Sequence, residues 1–283
     1  MIYVTGSLNI DLCISCSRMP EVGETITGNG FMTNGGGKGA NQATAAAKLG
    51  GKIAMCGVVG GDDFGQKLIF DLSAAGADVS HIRKESKVAS GTAVIIVSQG
   101  NNRIILDKGA NAFLTKDDID RFLQNAKVGD VYLTQLENPV EIIGYGLKLA
   151  KEKGMLTILN PAPANKDAEK YFSFADIVVP NETELESFGG KKKMFTAGVK
   201  KIVTTLGARG YEIADESSSE IYDCLKVKVV DTTAAGDTFC GGMAVGLSEG
   251  MSLQSACAFG SKAASLACTK KGAQQSIPYR NEL

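Results

Sequence analysis

Asp231-Thr232-Thr233-Ala234-Ala235-Gly236-Asp237-Thr238-Phe239 places a carboxylate on each side of a run of small residues. The β-rich run Leu225 to Val230 precedes it, and an apolar helical pattern, Phe239 to Leu247, follows. The pattern predicts a strand that turns into a helix at Ala234-Ala235-Gly236. Backbone N–H groups at a helix start have no intrahelical acceptor and can hold an anion. A carboxylate beside them can take a proton from a hydroxyl while the amides hold a transferring phosphoryl group. The structural alternative for the same residues is a helix N-terminus with an aspartate in its first turn.

Other segments carry comparable chemistry. In Gly6-Ser7-Leu8-Asn9-Ile10-Asp11, Asn9 and Asp11 are two apart, so in extended chain they point the same way and suit a sugar diol, or else form an Asx turn. Asn34-Gly35-Gly36-Gly37-Lys38-Gly39-Ala40-Asn41-Gln42 allows close approach of a ligand to the backbone, with Lys38 and Asn41 at a helix start. Gly39 after Lys38 rules out a phosphate-binding loop of the G-x-x-x-x-G-K-[ST] type. Asn181 and Glu184 form a capping-box pattern, or orient water on Mg²⁺ beside a nucleotide. Thr205 to Gly210 is a tight turn after a strand, either a hairpin or a wall beside a nucleotide. Lys270-Lys271-Gly272-Ala273-Gln274 reads locally as a basic helix end.

His81 is the only histidine, which excludes a Ser-His-Asp triad and any multi-histidine metal site. It is expected in a polar loop. General base work then falls to a carboxylate, lysine or cysteine. Of the seven cysteines, Cys13 and Cys16 give one C-x-x-C with no second pair to complete a zinc site. Most of the seven lie in apolar runs and read as buried free thiols in a reducing cytoplasm. Thirty basic against 31 acidic residues, a net charge of −1, argue against nucleic acid or a membrane surface as partner. The chain opens directly in a strand, Ile2 to Gly6, with no signal-peptide pattern and no apolar run of membrane-spanning length.

The elements that must position these residues alternate. Strands are expected at Ile2–Thr5, Ile53–Val59, Val131–Leu133, Leu156–Leu159, Ile177–Val179 and Ile202–Leu206, and helices at Lys38–Leu49, Asp62–Ala75, Val140–Glu152, Glu182–Phe188, Gly236–Glu249 and Leu253–Cys268. This predicts an α/β fold with a mostly parallel sheet covered on both faces. Extended pairs at Ile10–Ser17 and Glu24–Phe31, and at Gly91–Val97 and Arg103–Leu106 over Gly100-Asn101-Asn102, do not fit the alternation; a hairpin is also read over Glu212–Tyr222. Residues of about 11–34 and 88–108 are expected to leave the main sheet as a small β lid on a single domain, 1–283.

Taken in order, GSLNID, GGGKGANQA, QLENP, NPAPA, PNETE, TLGARG, DTTAAGDTF and KKGAQQSIP resemble the ribokinase-like, pfkB-type carbohydrate kinases along nearly the whole chain. The resemblance implies a three-layer αβα sandwich with a β lid, and ATP-dependent phosphorylation of a sugar's primary hydroxyl, giving D-ribose 5-phosphate if the sugar is D-ribose. Asp237 would be the base and Ala234, Ala235 and Gly236 the anion hole. Asn9, Asp11, Gly37, Lys38, Asn41 and Glu137, with Asp237, would hold the sugar. Asn181, Thr205, Leu206, Gly207, Ala208, Arg209, Gly210, Gly236 and Ser261 would line the nucleotide site. Asn181 and Glu184 would serve Mg²⁺ through water. A monovalent cation, K⁺, would lie by Asp231, Thr233, Ala267, Lys270, Gly272 and Ser276. The resemblance also implies a homodimer formed through the lid strands. The stretch 185–204 is short for the family, and the chain runs only briefly past Ser276-Ile277-Pro278; both differences lie away from the implied site. Other readings are a kinase for 2-deoxyribose, fructose or a related ketose, and a non-catalytic sugar- or nucleotide-binding regulator. A binder would need no base at Asp237. An NAD-dependent dehydrogenase lacks its G-x-G-x-x-G after the first strand.

Overall fold

The computed structural model describes residues 1–99 and 101–283. The first half of the chain runs β1 (Ile2–Thr5), β2 (Asn9–Cys16), β3 (Asn29–Gly36), α1 (Lys38–Lys48), β4 (Ile53–Gly60), α2 (Asp63–Ala74), β5 (Asp78–Glu85), β6 (Gly91–Ser98), β7 (Asn101–Asp107) and α3 (Lys116–Leu123). It continues with β8 (Val131–Thr134), α4 (Val140–Glu152), β9 (Leu156–Leu159), β10 (Ile177–Val178), α5 (Glu182–Ser187), α6 (Gly190–Thr196), β11 (Lys201–Thr205), β12 (Tyr211–Ala214), β13 (Ser219–Tyr222), α7 (Ala235–Ser248) and α8 (Leu253–Ala267).

Nine strands form the main sheet in the order β13-β12-β11-β10-β9-β8-β1-β4-β5. Its pairs are parallel except β11–β12 and β12–β13. Side chains alternate between two apolar layers, as a strand's period of two requires. Ile2, Val4, Met55, Val131 and Leu133 face a core shared with α1, α7 and α8, whereas Tyr3, Ala54, Cys56 and Tyr132 face a core with α3 and α4. The three-layer αβα arrangement expected from the alternation is present. A second sheet, β3-β2-β6-β7, stands apart from it. Its β2 begins only a few residues beyond β1, so one stretch of chain feeds both sheets.

Five expectations are corrected. Leu225 to Val230 is not a strand: Leu225, Val229 and Val230 are about half exposed, and Leu225, Val227 and Val229 line a cavity instead of pairing. Alternating β-branched residues serve a cleft wall as well as a sheet. His81 is not in a polar loop but in β5, an edge strand, half-buried with its ring edge-on to Phe122 at 5.3 Å. The charged residues Asp78, Arg83, Lys84 and Glu85 mask the strand, as edge strands tend to. The second extended pair begins later than Glu24: β3 spans Asn29–Gly36 and takes in the first glycines of the glycine run. In the lid hairpin Asn101 and Asn102 belong to β7, and Gly100 lies outside the described residues. Three cysteines, Cys56, Cys240 and Cys257, are buried and the other four are intermediate, so fewer than expected are core thiols. Helices α3 and α6 also went unanticipated.

Candidate active site

The site gathers at the carboxyl ends of the parallel strands, where open α/β sheets bind ligands. Asn9 follows β1, Glu137 follows β8, Asn160 follows β9, Asn181 follows β10, and Thr205 ends β11. Across from them stands the first turn of α7. Its N-cap, Ala234, adopts a left-handed conformation (φ 60°, ψ 12°) that is unusual for a residue with a Cβ. The approach is braced by Asp231. One of its carboxylate oxygens accepts from the Thr233 N–H (2.9 Å) and hydroxyl (2.6 Å), the other from the Gly272 N–H (3.0 Å). Burial pushes the Asp231 carboxyl up, but these bonds outweigh it and hold it below the usual range. The Ala235 N–H donates to the Thr232 carbonyl at 3.2 Å, while the N–H groups of Ala234, Gly236 and Asp237 meet no acceptor among the described residues. Two of the three expected amides, those of Ala234 and Gly236, are therefore free, and that of Asp237 continues the set.

Asp237 is buried, with 7% of its surface exposed. Each carboxylate oxygen accepts from one amide of α1: Oδ2 from Asn41 Nδ2 and Oδ1 from Gln42 Nε2, both at 3.0 Å. Burial raises the Asp237 pKa, opposed first by Lys38 and then by the two amides. Lys38 opens α1; burial pulls its ammonium down, but Asp237, Glu137 and Glu184 outweigh this and raise it. The helix can start there because Gly37, at φ 87°, takes a conformation open to glycine, and a Cβ on it would sit 2.8 Å from the Asn9 nitrogen.

A cavity of about 230 Å³ opens on Asp237, lined also by Lys38, Asn181, Glu184 and Gly236. Asn9, Asp11, Gly37, Asn41 and Glu137 do not line it; Asn41 bonds to Asp237 from α1, and the carboxylates of Asp11 and Glu137 are near enough to act on that of Asp237. The carboxylate of Glu137 accepts from the Lys38 N–H (3.0 Å) and from the Ser7 hydroxyl. Asn9 Oδ1 accepts from Asn111 Nδ2 at 2.7 Å. The Asp11 carboxyl is pushed up to about 7 by burial, with Glu137 and Asp237 adding to the shift.

A second cavity, of about 280 Å³ and mostly apolar, shares Thr205, Thr232, Ala235 and Gly236 with the first. Gly207, Ala208, Gly210 and Ser261 line it, as do Leu225, Val227 and Phe239. Leu206 and Arg209 do not; the Arg209 guanidinium turns outward to an ion pair with Glu182. Asn181 and Glu184 exchange both bonds of a capping box at 2.8 Å each and at the same time line the cavity of Asp237, so the capping role does not remove them from it. Among the residues expected to surround a monovalent cation, Asp231 meets Gly272, the Ala267 carbonyl accepts from the Lys270 N–H (3.1 Å), the Lys270 side chain pairs with Glu282 (2.7 Å), and the buried Ser276 hydroxyl donates to Ala273 O (2.8 Å).

A model of the pfkB family carbohydrate kinases matches residues 1–280. The chain belongs to the pfkB family of carbohydrate kinases. It is 38% identical to a ribokinase of Haemophilus influenzae, over 99% of this chain and 95% of that one. Its fold is similar to that of a ribokinase of Thermotoga maritima (TM-score 0.90, 36% identity, 99% of this chain and 97% of that one). It is equally similar to an Arabidopsis thaliana ribokinase complexed with ribose and ATP (TM-score 0.90, 32% identity, 99% and 96%). As a pfkB-family member the chain is an ATP-dependent sugar kinase. No helix among the described residues is long and apolar enough to cross a membrane.

Sequence reasoning passed over Gln42, Asn111, Gln135 and Asn160. Gln42 stood next to Asn41 within the glycine-rich segment. Asn111 lies in a 3-10 turn, Gly109–Phe113, and Gln135 and Asn160 open the QLENP and NPAPA segments, in which only Glu137 was given a role.

Proposed function

We propose that this chain transfers the γ-phosphoryl group of ATP to the primary hydroxyl of D-ribose, giving D-ribose 5-phosphate. The observation that carries the reading is Asp237: a buried carboxylate gripped on both oxygens, in the first turn of α7, where two cavities meet. The sugar lies on the Asn9, Asp11, Gly37, Lys38, Asn41 and Glu137 side. The nucleotide lies along Thr205 to Gly210, Asn181 and Ser261, with its base in the apolar cavity. Phosphoryl transfer needs positioning and charge stabilisation more than covalent help. Asp237 takes the hydroxyl proton, and the free N–H groups of the α7 turn receive the negative charge that builds on the phosphoryl oxygens.

Mg²⁺, when bound, would screen the phosphates, with Asn181 and Glu184 orienting its water; the Glu184 oxygen not used in the capping box is free for that role. The oxygen-rich set at Asp231, Thr233, Ala267, Lys270, Gly272 and Ser276 suits a hard cation such as K⁺, which would hold the loop rather than touch the sugar. The single-domain organisation, the closing lid, the homodimer and a cytoplasmic location belong to the same proposal.

The test is ADP release across a panel of ribose, 2-deoxyribose, fructose and other sugars, followed by mapping of the phosphorylated carbon. Ribose is expected to give the highest kcat/KM, with phosphate on its primary hydroxyl. Asp237→Asn is expected to lower kcat by ~10²–10⁴ with little change in sugar affinity, the range for a lost general base. Near-parental turnover in that variant would remove the base assignment.

A further inference from the structure

Three carboxamides outside the sugar and nucleotide sets form a buried chain that ends on the base. Gln42 is fully buried in α1, Gln135 lies just past β8 and Asn160 just past β9. Gln42 Nε2 donates to Asp237 Oδ1 (3.0 Å) and to Asn160 Oδ1 (3.1 Å), Asn160 Nδ2 donates to the Val179 carbonyl (2.8 Å), and Gln135 Nε2 donates to Gln42 Oε1 (2.6 Å).

The direction of this chain is not free. A backbone carbonyl only accepts, so the Val179 oxygen requires the NH₂ end of Asn160. The Asn160 oxygen is thereby turned to Gln42 and requires an NH₂ group there. Gln42 has one such group with two hydrogens: one serves Asn160, the other Asp237. Its oxygen is left for Gln135. Reversing any member would set two acceptors face to face among buried side chains, a costly arrangement.

On this basis we propose that Gln42 is a positioning residue for the base, locked as a donor to Asp237 Oδ1 by the relay from Val179 through Asn160. The inference rests on the assignment of Asp237 as base. With Oδ1 held by Gln42 and Oδ2 by Asn41, the carboxylate plane cannot rotate, and the lone pairs not used by the amides are fixed in direction. Asn41 is itself oriented, since its Oδ1 accepts from Gln274 Nε2 at 3.3 Å. The base therefore meets the incoming hydroxyl without reorganising, which is where positioned groups gain their effect.

The test compares Gln42→Met, Gln135→Met and Asp237→Asn in the full chain, with kcat, sugar KM and equilibrium sugar binding as readouts. Methionine keeps the length of glutamine and removes the amide. Gln42→Met is expected to lower kcat by ~10–100-fold, the scale of a misplaced reacting group, while sugar KM and binding stay within about threefold of the parent. Gln135→Met loses a bond of the same network, but leaves Gln42 oriented by Asn160, and its kcat is expected within about threefold of the parent. A parental kcat in Gln42→Met, or equal losses in both glutamine variants, overturns the proposal. If Gln42→Met does not fold, Asn160→Leu replaces it; there Gln42 stays in place without its orienting partner, and kcat is expected to fall about tenfold with sugar binding kept. An unchanged kcat in that variant likewise overturns the proposal. Asp237→Asn separates the two ideas: if it keeps turnover, the base assignment has failed, and if only Gln42→Met keeps turnover, the positioning role alone has failed.

Discussion

Burial, with the carboxylates of Glu137 and Asp237 adding to it, pushes the Asp11 carboxyl from 3.8 up to about 7. The folded chain therefore binds an extra proton between those values, and stability is lost as pH rises through that window. The strain in the ionised form is on the order of a few kcal/mol, and a bound polyol would relieve it by donating hydroxyl hydrogens. Asp11→Asn is accordingly expected to raise the melting temperature at pH 8 by several degrees, with a gain that shrinks toward pH 5, while sugar KM rises. Thermal unfolding measured from pH 5 to pH 8 checks this; a gain that does not vary with pH counts against it. Asp11, Lys38, Asn41 and Asp237 were legible because each sits in a short motif whose residue types announce polar work. Gln135 and Asn160 open the QLENP and NPAPA motifs, but what they touch was not legible, because the contact of Gln42 with Asn160 spans 118 positions and depends on strand order.

At the scale of elements, β6 reaches the site through its first residue. A Cβ on Gly91 would lie 2.2 Å from both Asn111 Nδ2 and Asn9 Oδ1, so it would break the pair that orients Asn9. Gly91→Ala is expected to raise sugar KM by about tenfold, roughly 1.4 kcal/mol, with ATP KM near the parental value. Steady-state kinetics with each substrate varied would show the asymmetry. The segment leading to α7 makes a second case. Asp231 ties it to Gly272, so a cation held there would act on the free amides of the turn. A several-fold higher kcat or ATP affinity in potassium than in sodium buffer is expected; equal rates would count against a cation at this loop. The main parallel strands and long helices were readable from periodicity alone. The Leu225–Val230 run was not, because an apolar alternation does not reveal whether its partner is a strand or a ligand. β5 was hidden for the opposite reason, since its charges concealed its place in the sheet.

Across the whole molecule, the second sheet leaves large apolar side chains in solvent. Phe31 is 62% exposed on β3, and Ile104 and Ile105 are 55% and 70% exposed on β7, at the two edges of that sheet. Unpaired edges with apolar residues favour association with a second copy. Sedimentation of the parent chain is expected to give a dimer at micromolar concentration, and Ile105→Lys is expected to shift it to monomer. A monomeric parent would end that part of the proposal. Strand β2 ties the two ends of this picture together. It carries Asn9 and Asp11 at its start and pairs with β3 and β6 along its length. A strand is stiff, so a small tilt at the sugar's hydroxyls becomes a larger sweep at the far tip. Sugar occupancy should thus be felt as leverage on the outer strands, and two copies joined there would each sense, through a rigid arm, whether the other is loaded.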